Sequence, residues 1–552
     1  MAEITVEIAY QYALAHRQAG RLAEAEALLR QVVAALPHNA NAWHQLGVVV
    51  LTAGRPVEAV DLLTRAITES PGTAYVYSDL GVAYSHLDRS SEAIASFQRA
   101  LQLQPTLAHT HRNLGDVLYA LDRKEEAITC YRRALALDPK DASAHNNLGS
   151  VLQKMGQLEN AAACYERAVQ LDPQLLEAQS NFGDTLTKTG RLEEGLACNR
   201  RVLALNPDFP DGHLNMGVTY CLMCRFPESE ASYRRAIALR PDFANAHLNL
   251  GLLLLLLGRY AEGWPEYEWR WRSPAHLHRH RSFSAPLWDG KPVEGKTILI
   301  HAEQGFGDTL LFVRYLPLVL AQSRAARLVF ECQPTLIPLL KQLQSSQIAI
   351  VAREVSDEML PPFDLHLPLF SMPLTLQHFA PMAPSYLQAD AELRARWRER
   401  LGNGGEFRVG LAWAGNPMQD EDRRRSLAPS QLVPILAVPG VRFVSLQVEP
   451  RGPLPPVLTA AGVTDCTAHI ADFADSAALM AELDLIITVD TATAHLAGAL
   501  GRPAWVLVPA MPYWPYGVGR EDTPWYPTMR LFRQGAPGGW DEVLARIATA
   551  LR

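Results

Sequence analysis

Seven glycines recur at one fixed step: Gly47, Gly81, Gly115, Gly149, Gly183, Gly217 and Gly251. Seven prolines keep the same step: Pro37, Pro71, Pro105, Pro139, Pro173, Pro207 and Pro241. The step is about 34 residues, the length of one helix–turn–helix unit that cannot bury its apolar face alone. Copies of such a unit must therefore stack on one another. The glycines mark points where two helices cross too closely for a side chain. The prolines mark chain that has left a helix. Ala59, Ala93, Ala127 and Ala161 supply a second small position, and Ala66, Ala100, Ala134 and Ala168 a third. Leu63, Phe97, Tyr131, Tyr165, Tyr233 and Tyr267 fill the neighbouring slot with bulk. Gly54, Gly156, Gly190 and Gly258 break the chain between helices, with Asp88 and Asp122 in the same place.

The pattern resembles the tetratricopeptide repeat and predicts an α-solenoid of about eight repeats over residues 6–272. The first has Ala13 for the glycine, and the last drifts into EGWPEYEWRWRS. Trp264, Trp269 and Trp271 read there as a cap against the next domain. A stack of this kind holds another chain and performs no chemistry. Two residues before the glycines stand Gln45, Asp79, Asn113, Asn147, Asn181, Asn215 and Asn249. An amide both donates and accepts, so the five asparagines as a row can hold a peptide backbone without reading its side chains. The competing reading has each asparagine bonding the adjacent repeat. Such a row resembles the superhelix of the nucleocytoplasmic O-GlcNAc transferases, which implies Asn113, Asn147, Asn181, Asn215 and Asn249 as acceptor-binding residues. His111, His145, His213 and His247 recur about one repeat apart, too far to share a metal, and read as groove surface.

Composition excludes several classes. The 552 residues are 48% hydrophobic and 20% charged, with net charge −7, a globular composition with no basic footprint for nucleic acid. The start MAEITVEIAY lacks a basic and then apolar run, so no signal peptide is expected. The longest aliphatic run, Leu252 to Leu257, is far too short for a membrane span. A cytoplasmic protein is expected. Cys130, Cys164 and Cys198 share one repeat position and read as core. Cys221 and Cys224 form a lone CxxC, without the second pair of a zinc site.

The repeats stop at residues 273–296, a linker carrying His276, His278 and His280. Short apolar runs then alternate with helical segments, the pattern of buried parallel strands. TILIHAE (297–303), RLVFEC (327–332), IAIVA (348–352) and FDLHLPL (363–369) form one group of strands. RVGLAWAG (408–415), VRFVSLQ (441–447), DLIITVD (484–490) and AWVLVP (504–509) form another. Two lobes are expected, 297–400 and 406–552, with ligands at the carboxyl ends of the strands. In QGFGD, Gly305 and Gly307 suit a tight turn and Asp308 opens a helix, where it is either a general base or an N-cap. Glu303 and His301 rival it as base. After the first strand of the second lobe, Arg423, Arg424 and Arg425 precede Ser426; a guanidinium there can neutralise a leaving diphosphate. Asp490 and Thr491 stand at a helix N-terminus suited to phosphate or ribose oxygens, with His495 one turn in. DED at 420–422 reads as loop charge.

Together these residues resemble the metal-independent GT-B glycosyltransferases, an α/β fold of two Rossmann-like lobes. QGFGDTLLFVRYLP is similar to the opening turn of the ADP-heptose:lipopolysaccharide heptosyltransferases, which implies Asp308 as catalytic base. DTATAHLAGALGRP resembles their nucleotide-sugar motif, which maps to Asp490, Thr491, His495 and Gly501. Their diphosphate-site lysine is absent here and the RRRS run stands in its place, so the resemblance does not fix the donor. The whole chain, down to REDTPWYPTMRLFRQ (520–534), resembles bacterial proteins that fuse tetratricopeptide repeats to such a domain. The resemblance implies an inverting transferase that moves a sugar from a nucleotide-sugar donor to Ser or Thr hydroxyls of a protein held by the repeats, with flagellin a plausible acceptor. No cofactor and no metal are expected. Gly305, Gly307, Arg425, Ser426, Asp490, Thr491 and His495 form the expected donor site. A homo-oligomer stays open. So do two other readings: a glycan-building enzyme of the heptosyltransferase type, and a repeat scaffold whose sugar domain is inactive.

Overall fold

The computed structural model describes residues 6–274, 281, 283–353, 359–379, 385–402, 404–418, 422–448, 453–536 and 538–552. His276, His278 and His280 lie outside the described residues. The chain forms two compact units, Met1–Thr219 and Tyr220–Arg552. Sixteen repeat helices run in pairs, from Val6–Gln18 to Tyr260–Tyr267. No described helix is long and apolar enough to cross a membrane.

The first unit shows why the glycines are spaced as they are. A Cβ on Gly81 would lie 2.5 Å from the Phe97 ring, and one on Gly115 2.7 Å from the Tyr131 ring. Gly47 faces Leu63 and Gly149 faces Tyr165 in the same way. Each small residue thus receives the large one that follows sixteen positions later, and the pair closes one repeat. The turn between paired helices needs a left-handed residue. Gly54 takes it at φ 79°, and Asp88 and Asp122 take it at 57° and 60°. In the second unit Cys224 fills the same position at φ 57°.

That placement explains half of the CxxC: Cys224 is a turn residue, while Cys221 is buried with its thiol pushed up to about 12 by burial. All seven cysteines are free thiols. Of the three at the shared repeat position, Cys198 is buried, whereas Cys130 and Cys164 are half-buried, so only Cys198 is core in the sense expected.

The recurring histidines bond within their own repeats, and of the four only His247 is buried. The ring Nε2 of His111, His145, His213 and His247 lies 3.1, 3.2, 2.9 and 3.0 Å from the carbonyl oxygens of Pro105, Pro139, Pro207 and Pro241. Trp43 donates to Pro37 in the same manner, at 2.7 Å. The carbonyl of a proline just past a helix has no intrahelical donor, and a side chain six residues on supplies one.

The second unit holds the last repeat helices and two wholly parallel sheets. The first sheet has the order β3-β2-β1-β4, with β1 Thr297–His301, β2 Arg327–Cys332, β3 Ile348–Ala352 and β4 Leu365–Pro368. The second has the order β10-β9-β8-β5-β6-β7. Its strands are β5 Phe407–Ala412, β6 Val441–Ser445, β7 Thr464–Asp465, β8 Leu485–Val489, β9 Ala504–Val508 and β10 Met529–Arg533. β7 and β10 lie outside the expected strands, because a two-residue strand and the alternating MRLFR carry no sustained apolar run.

The last repeat packs into the core of this unit. The Trp264 ring meets Phe312 edge-on at 5.8 Å and Trp514 at 5.5 Å, and Trp525 Nε1 donates to Tyr260 Oη at 3.1 Å. Trp269 instead stacks on His247 at 3.9 Å, and Trp271 lies under the Arg270 guanidinium at 4.4 Å.

Candidate functional site

β1 delivers its carboxyl end to a short turn, and helix Phe306–Phe312 follows. Asp308 caps that helix, with Oδ2 accepting from the Gly305 N–H at 3.1 Å. Its Oδ1 accepts from the Tyr513 hydroxyl at 2.8 Å. The carboxyl is half-buried. Burial pushes its pKa up to about 6, with Asp490 and Glu303 adding to the rise and the bonds from Tyr513 and Gly305 opposing it. The N-cap is Gly305 rather than Asp308, which stands at N3 and turns its carboxylate back to the N-cap N–H; one carboxylate thus serves the helix and still has a proton affinity near pH 6.

The two glycines of the turn do not serve the backbone bend. Gly305 sits at φ −74°, and neither Gly305 nor Gly307 is left-handed. Gly307 is required by packing instead: a Cβ there would meet His495 Cδ2 at 2.6 Å. The turn after β1 and the helix after β8 thus face each other at contact distance.

Glu303 and His301 occupy different positions. Glu303 is buried and receives Arg270 Nε at 3.0 Å, Arg270 Nη2 at 3.2 Å and the Phe370 N–H at 3.0 Å. Arg270 is itself 1% exposed and also reaches Glu268 at 2.6 Å and Ser371 at 2.9 Å. Glu303 is therefore the anchor for a cation brought in from the end of the last repeat. Beside it, Gln304 Nε2 donates to Tyr267 Oη at 2.9 Å. His301 is buried with Nε2 3.4 Å from His366 Nδ1, and burial together with His366 holds its pKa well below the ordinary range. Of the three candidates, Asp308 alone is half-exposed; the other two are enclosed.

Asp490 follows the last residue of β8, and Thr491 is the N-cap of helix Ala492–Ala499. Asp490 is buried, which raises its pKa to about 6 against the pull of Arg425 and Tyr516. His495 is held neutral, its pKa driven to about 3 by burial and by Arg314 and Arg425. Its Nδ1 lies 3.0 Å from Tyr526 Oη. The Thr491 hydroxyl is 3.3 Å from that of Thr488.

Arg425 ends a helical turn, Asp422–Arg425, rather than lying in open loop. Asp422, read from sequence as loop charge, is buried and accepts from Ser426 Oγ at 2.7 Å; Asp420 and Glu421 are outside the described residues. The Ser426 oxygen in turn accepts from the Gly415 N–H at 3.0 Å. Arg425 lies so close to Gly415 that a Cβ there would be 2.8 Å from its guanidinium.

At the carboxyl ends of β5, β6 and β7 lies a cavity of about 230 Å³ whose lining includes Trp413, Leu427, Gln447, Leu454 and Asp465. Adjacent strands are spaced about 4.8 Å, so the cavity stands roughly 10 Å along the sheet edge from Asp490.

Sequence reasoning missed Arg270, Arg314, Tyr513, Tyr526 and this cavity. Arg314 is buried and donates to the Leu311, Trp525 and Tyr386 oxygens at 2.9, 3.0 and 3.0 Å. Its guanidinium lies over the Tyr526 ring at 4.8 Å. The segment RLFRQ and its preceding aromatics were visible as a resemblance, but nothing local pointed to Tyr526 as the partner of His495.

In the repeats, the asparagine amides are engaged with neighbouring repeats. Asn147 Nδ2 donates to Asp116 at 2.7 Å, Asn181 to Asn146 at 3.0 Å and Asn215 to Ser180 at 3.1 Å. Asn113 and Asn249 are half-buried at the same repeat position. The reading that each asparagine bonds the adjacent repeat holds for the donor half of the three amides.

Family models described as TPR or tetratricopeptide repeats match residues 10–74, 74–107, 115–156, 142–175 and 225–258. Protein FlbA of Caulobacter vibrioides is 31% identical over 333 residues, which are 53% of this chain and 52% of FlbA. The chain thus spans about half the length of the curated relative it matches. Among solved structures, YrrB, described as a TPR protein with an unusual peptide-binding site, is 28% identical with a TM-score of 0.30, over 33% of this chain and 95% of YrrB. The pilF protein of Pseudomonas aeruginosa is 20% identical with a TM-score of 0.35, over 38% of this chain and 94% of pilF. Tetratricopeptide repeats therefore run across the N-terminal region, a fold suited to recognising other proteins, and parallel sheets follow them.

Proposed function

We propose that the protein is an inverting glycosyltransferase of the GT-B type, which passes a sugar from a nucleotide-sugar donor to Ser or Thr hydroxyls of a polypeptide recruited by the repeats. One observation carries the reading: the Asp308 turn and the Asp490–Thr491–His495 helix, each at the carboxyl end of its own sheet, meet at Gly307 and His495. The first offers a carboxylate that exchanges its proton near pH 6. The second offers helix N–H groups and a neutral imidazole to an anion.

In this reading Asp308 takes the proton of the acceptor hydroxyl as its oxygen bonds to the anomeric carbon. The bond from that carbon to the terminal phosphate oxygen breaks, and the nucleoside diphosphate leaves with the electron pair. Arg425 and the N-terminus of helix Ala492–Ala499 receive the leaving charge. Attack from the face opposite the leaving group inverts the centre. The base of the nucleotide takes the cavity beside Trp413, since roughly 10 Å of sheet edge suits the reach from base to diphosphate. The repeats supply the acceptor surface. With their N–H groups turned to neighbouring repeats, Asn181 and Asn215 offer a peptide their carbonyl oxygens, while that of Asn147 accepts from Asn146 Nδ2 at 3.1 Å.

The test is co-expression with a candidate acceptor such as a flagellin, read as a sugar mass increment on a Ser- or Thr-containing peptide. Asp308→Asn is expected to abolish the increment and spare nucleotide binding. Full activity in that variant would remove Asp308 from the reaction. Absence of both transfer and nucleotide binding in the unaltered protein leaves the scaffold reading.

A further inference from the structure

The turn that carries Asp308 is held from outside its own sheet. Helix Tyr260–Tyr267 of the last repeat runs straight into the tighter turn Glu268–Arg272. Tyr267 and Arg270 stand three residues apart there, a spacing that puts both side chains on one face. They take hold of two successive residues beyond β1. Arg270 bonds Glu303, and Tyr267 Oη accepts from Gln304 Nε2 at 2.9 Å. Gln304 is fixed in turn to the helix that follows. Its carbonyl accepts from Gln333 Nε2 at 2.8 Å, and Gln333 Oε1 accepts from the Thr309 hydroxyl at 2.9 Å. Thr309 is the next residue after Asp308, and Gly305, the next after Gln304, donates to the Asp308 carboxylate. Hydrogen bonds and single peptide links thus lead from the Tyr267 hydroxyl to Asp308 by two routes.

The partner of Asp308 hangs on the same repeats. Tyr513, which donates to Asp308 Oδ1 at 2.8 Å, lies in the loop after β9. Before it in that loop, Met511 Sδ lies 3.9 Å from Cys221 Sγ, and the Ala510 carbonyl accepts from the Cys224 thiol at 3.6 Å. After it, Trp514 meets Trp264 edge-on at 5.5 Å and Tyr260 at 6.1 Å. Both residues of the Asp308–Tyr513 bond are therefore carried on segments that repeat residues grip.

We propose that the last repeat belongs to the transferase machinery, with Tyr267 as a positioning residue that acts through Gln304 to hold Asp308 where it takes the acceptor proton. This rests on the reading of Asp308 as the base. A general base works only within hydrogen-bond reach of its proton, and a displacement of about 1 Å costs about 100-fold in rate. A hydroxyl that holds the turn therefore governs the rate without touching substrate. It leaves nucleotide binding at the helix after β8 alone.

The experiment compares the full chain with Tyr267→Phe, which keeps the buried ring and removes only the hydroxyl. Release of diphosphate from UDP, GDP, ADP and dTDP sugars, with a flagellin as acceptor, gives kcat. Calorimetric titration with the matching diphosphate gives Kd. In Tyr267→Phe, kcat is expected to fall about 10- to 100-fold, with Kd and the denaturant midpoint little changed. Gln304→Met is expected to lose as much, and the double variant no more than either alone, because each removes the same bond. Hydrogen exchange adds a readout without turnover: the amides of 305–312 are expected to exchange faster in Tyr267→Phe, while helix Ala492–Ala499 keeps its rates. An unchanged kcat, additive losses in the double variant, or unchanged exchange over 305–312 overturns the proposal. A fall in kcat matched by a loss of diphosphate affinity also overturns it, because that marks a general loss of structure. No turnover in the unaltered protein defeats the reading of the site itself, an outcome distinct from a loss confined to the variants.

Discussion

Replacing Arg270 by methionine removes the cation on which a buried carboxylate depends. The methionine stem keeps most of the apolar contact of the arginine, so the perturbation is mainly electrostatic. Glu303 loses the bonds at 3.0 and 3.2 Å and keeps one backbone N–H, from Phe370. Glu268 also loses its partner, but its side chain is 27% exposed and water can replace the arginine. Removing one member of a buried pair costs about 3–5 kcal/mol, and Glu303 carries nearly all of it here. The loss depends on pH. Burial already raises the Glu303 pKa against the pull of Arg270; without the arginine, burial acts with less opposition and the value climbs further. A carboxyl whose folded pKa lies above its unfolded value loses stability as pH rises through the folded value. Each further unit of separation is about 1.4 kcal/mol. The deficit of Arg270→Met is therefore expected to be larger at pH 8 than at pH 5, because lowering the pH favours the protonated carboxyl that burial prefers. Urea unfolding followed by tryptophan fluorescence at both pH values measures it, because Trp264 and Trp514 sit in the same core. Hydrogen exchange over residues 297–312 localises it. Adding Glu303→Gln to Arg270→Met is expected to recover stability at pH 8 and little at pH 5. An equal deficit at both pH values, or one under about 1 kcal/mol, would refute the assignment of a buried charge pair.

Gly307→Ala places a methyl 2.6 Å from the His495 ring, and overpacking of that kind is expected to cost about 1–3 kcal/mol; thermal unfolding reads the loss and nucleotide titration reads the displaced imidazole. The transfer rate is expected to fall below pH about 6 as Asp308 takes up its proton, and Tyr513→Phe should move that acid limb upward because the bond that favours the ionised form is gone; a pH–rate profile that ignores Tyr513→Phe would detach the tyrosine from the base. Gly115→Ala sets a methyl 2.7 Å from the Tyr131 ring and is expected to destabilise the first unit by about 1–3 kcal/mol, whereas Ala at the exposed turn of Gly54, φ 79°, should cost about 1 kcal/mol through backbone strain alone; denaturant midpoints compare the two.

The repeats were legible because their physics is local and repeated. The glycine and its bulky partner stand at one separation in every copy, so the period displays the packing directly. The proline-to-side-chain bonds obey the same period, yet the histidines pointed to a groove when taken alone. Their meaning lies in a pair of positions six residues apart, at His111 and Pro105 or at Trp43 and Pro37, where the donor changes chemical type while the acceptor stays the same. The buried strands were legible for a similar reason, since unbroken apolar runs such as LIITV need no partner to be recognised.

The candidate site was legible only in its strand ends. Asp308, Asp490 and His495 each follow closely on a strand end, and sequence shows that. What sets their chemistry arrives from far along the chain. Tyr513 reaches Asp308 across 205 residues, and Arg270 reaches Glu303 across 33. No periodicity links those positions, because each contact is made once. Two features in and beside the QGFGD turn take their surroundings from this one source. Glu303 looked like a possible base because its cation lay in another segment, and Gly307 looked like a bend because the ring it admits belongs to the other sheet. A glycine beside a helix-capping aspartate is thus better asked what it must not touch than what angle it must adopt, and at Gly307 the answer is the His495 imidazole.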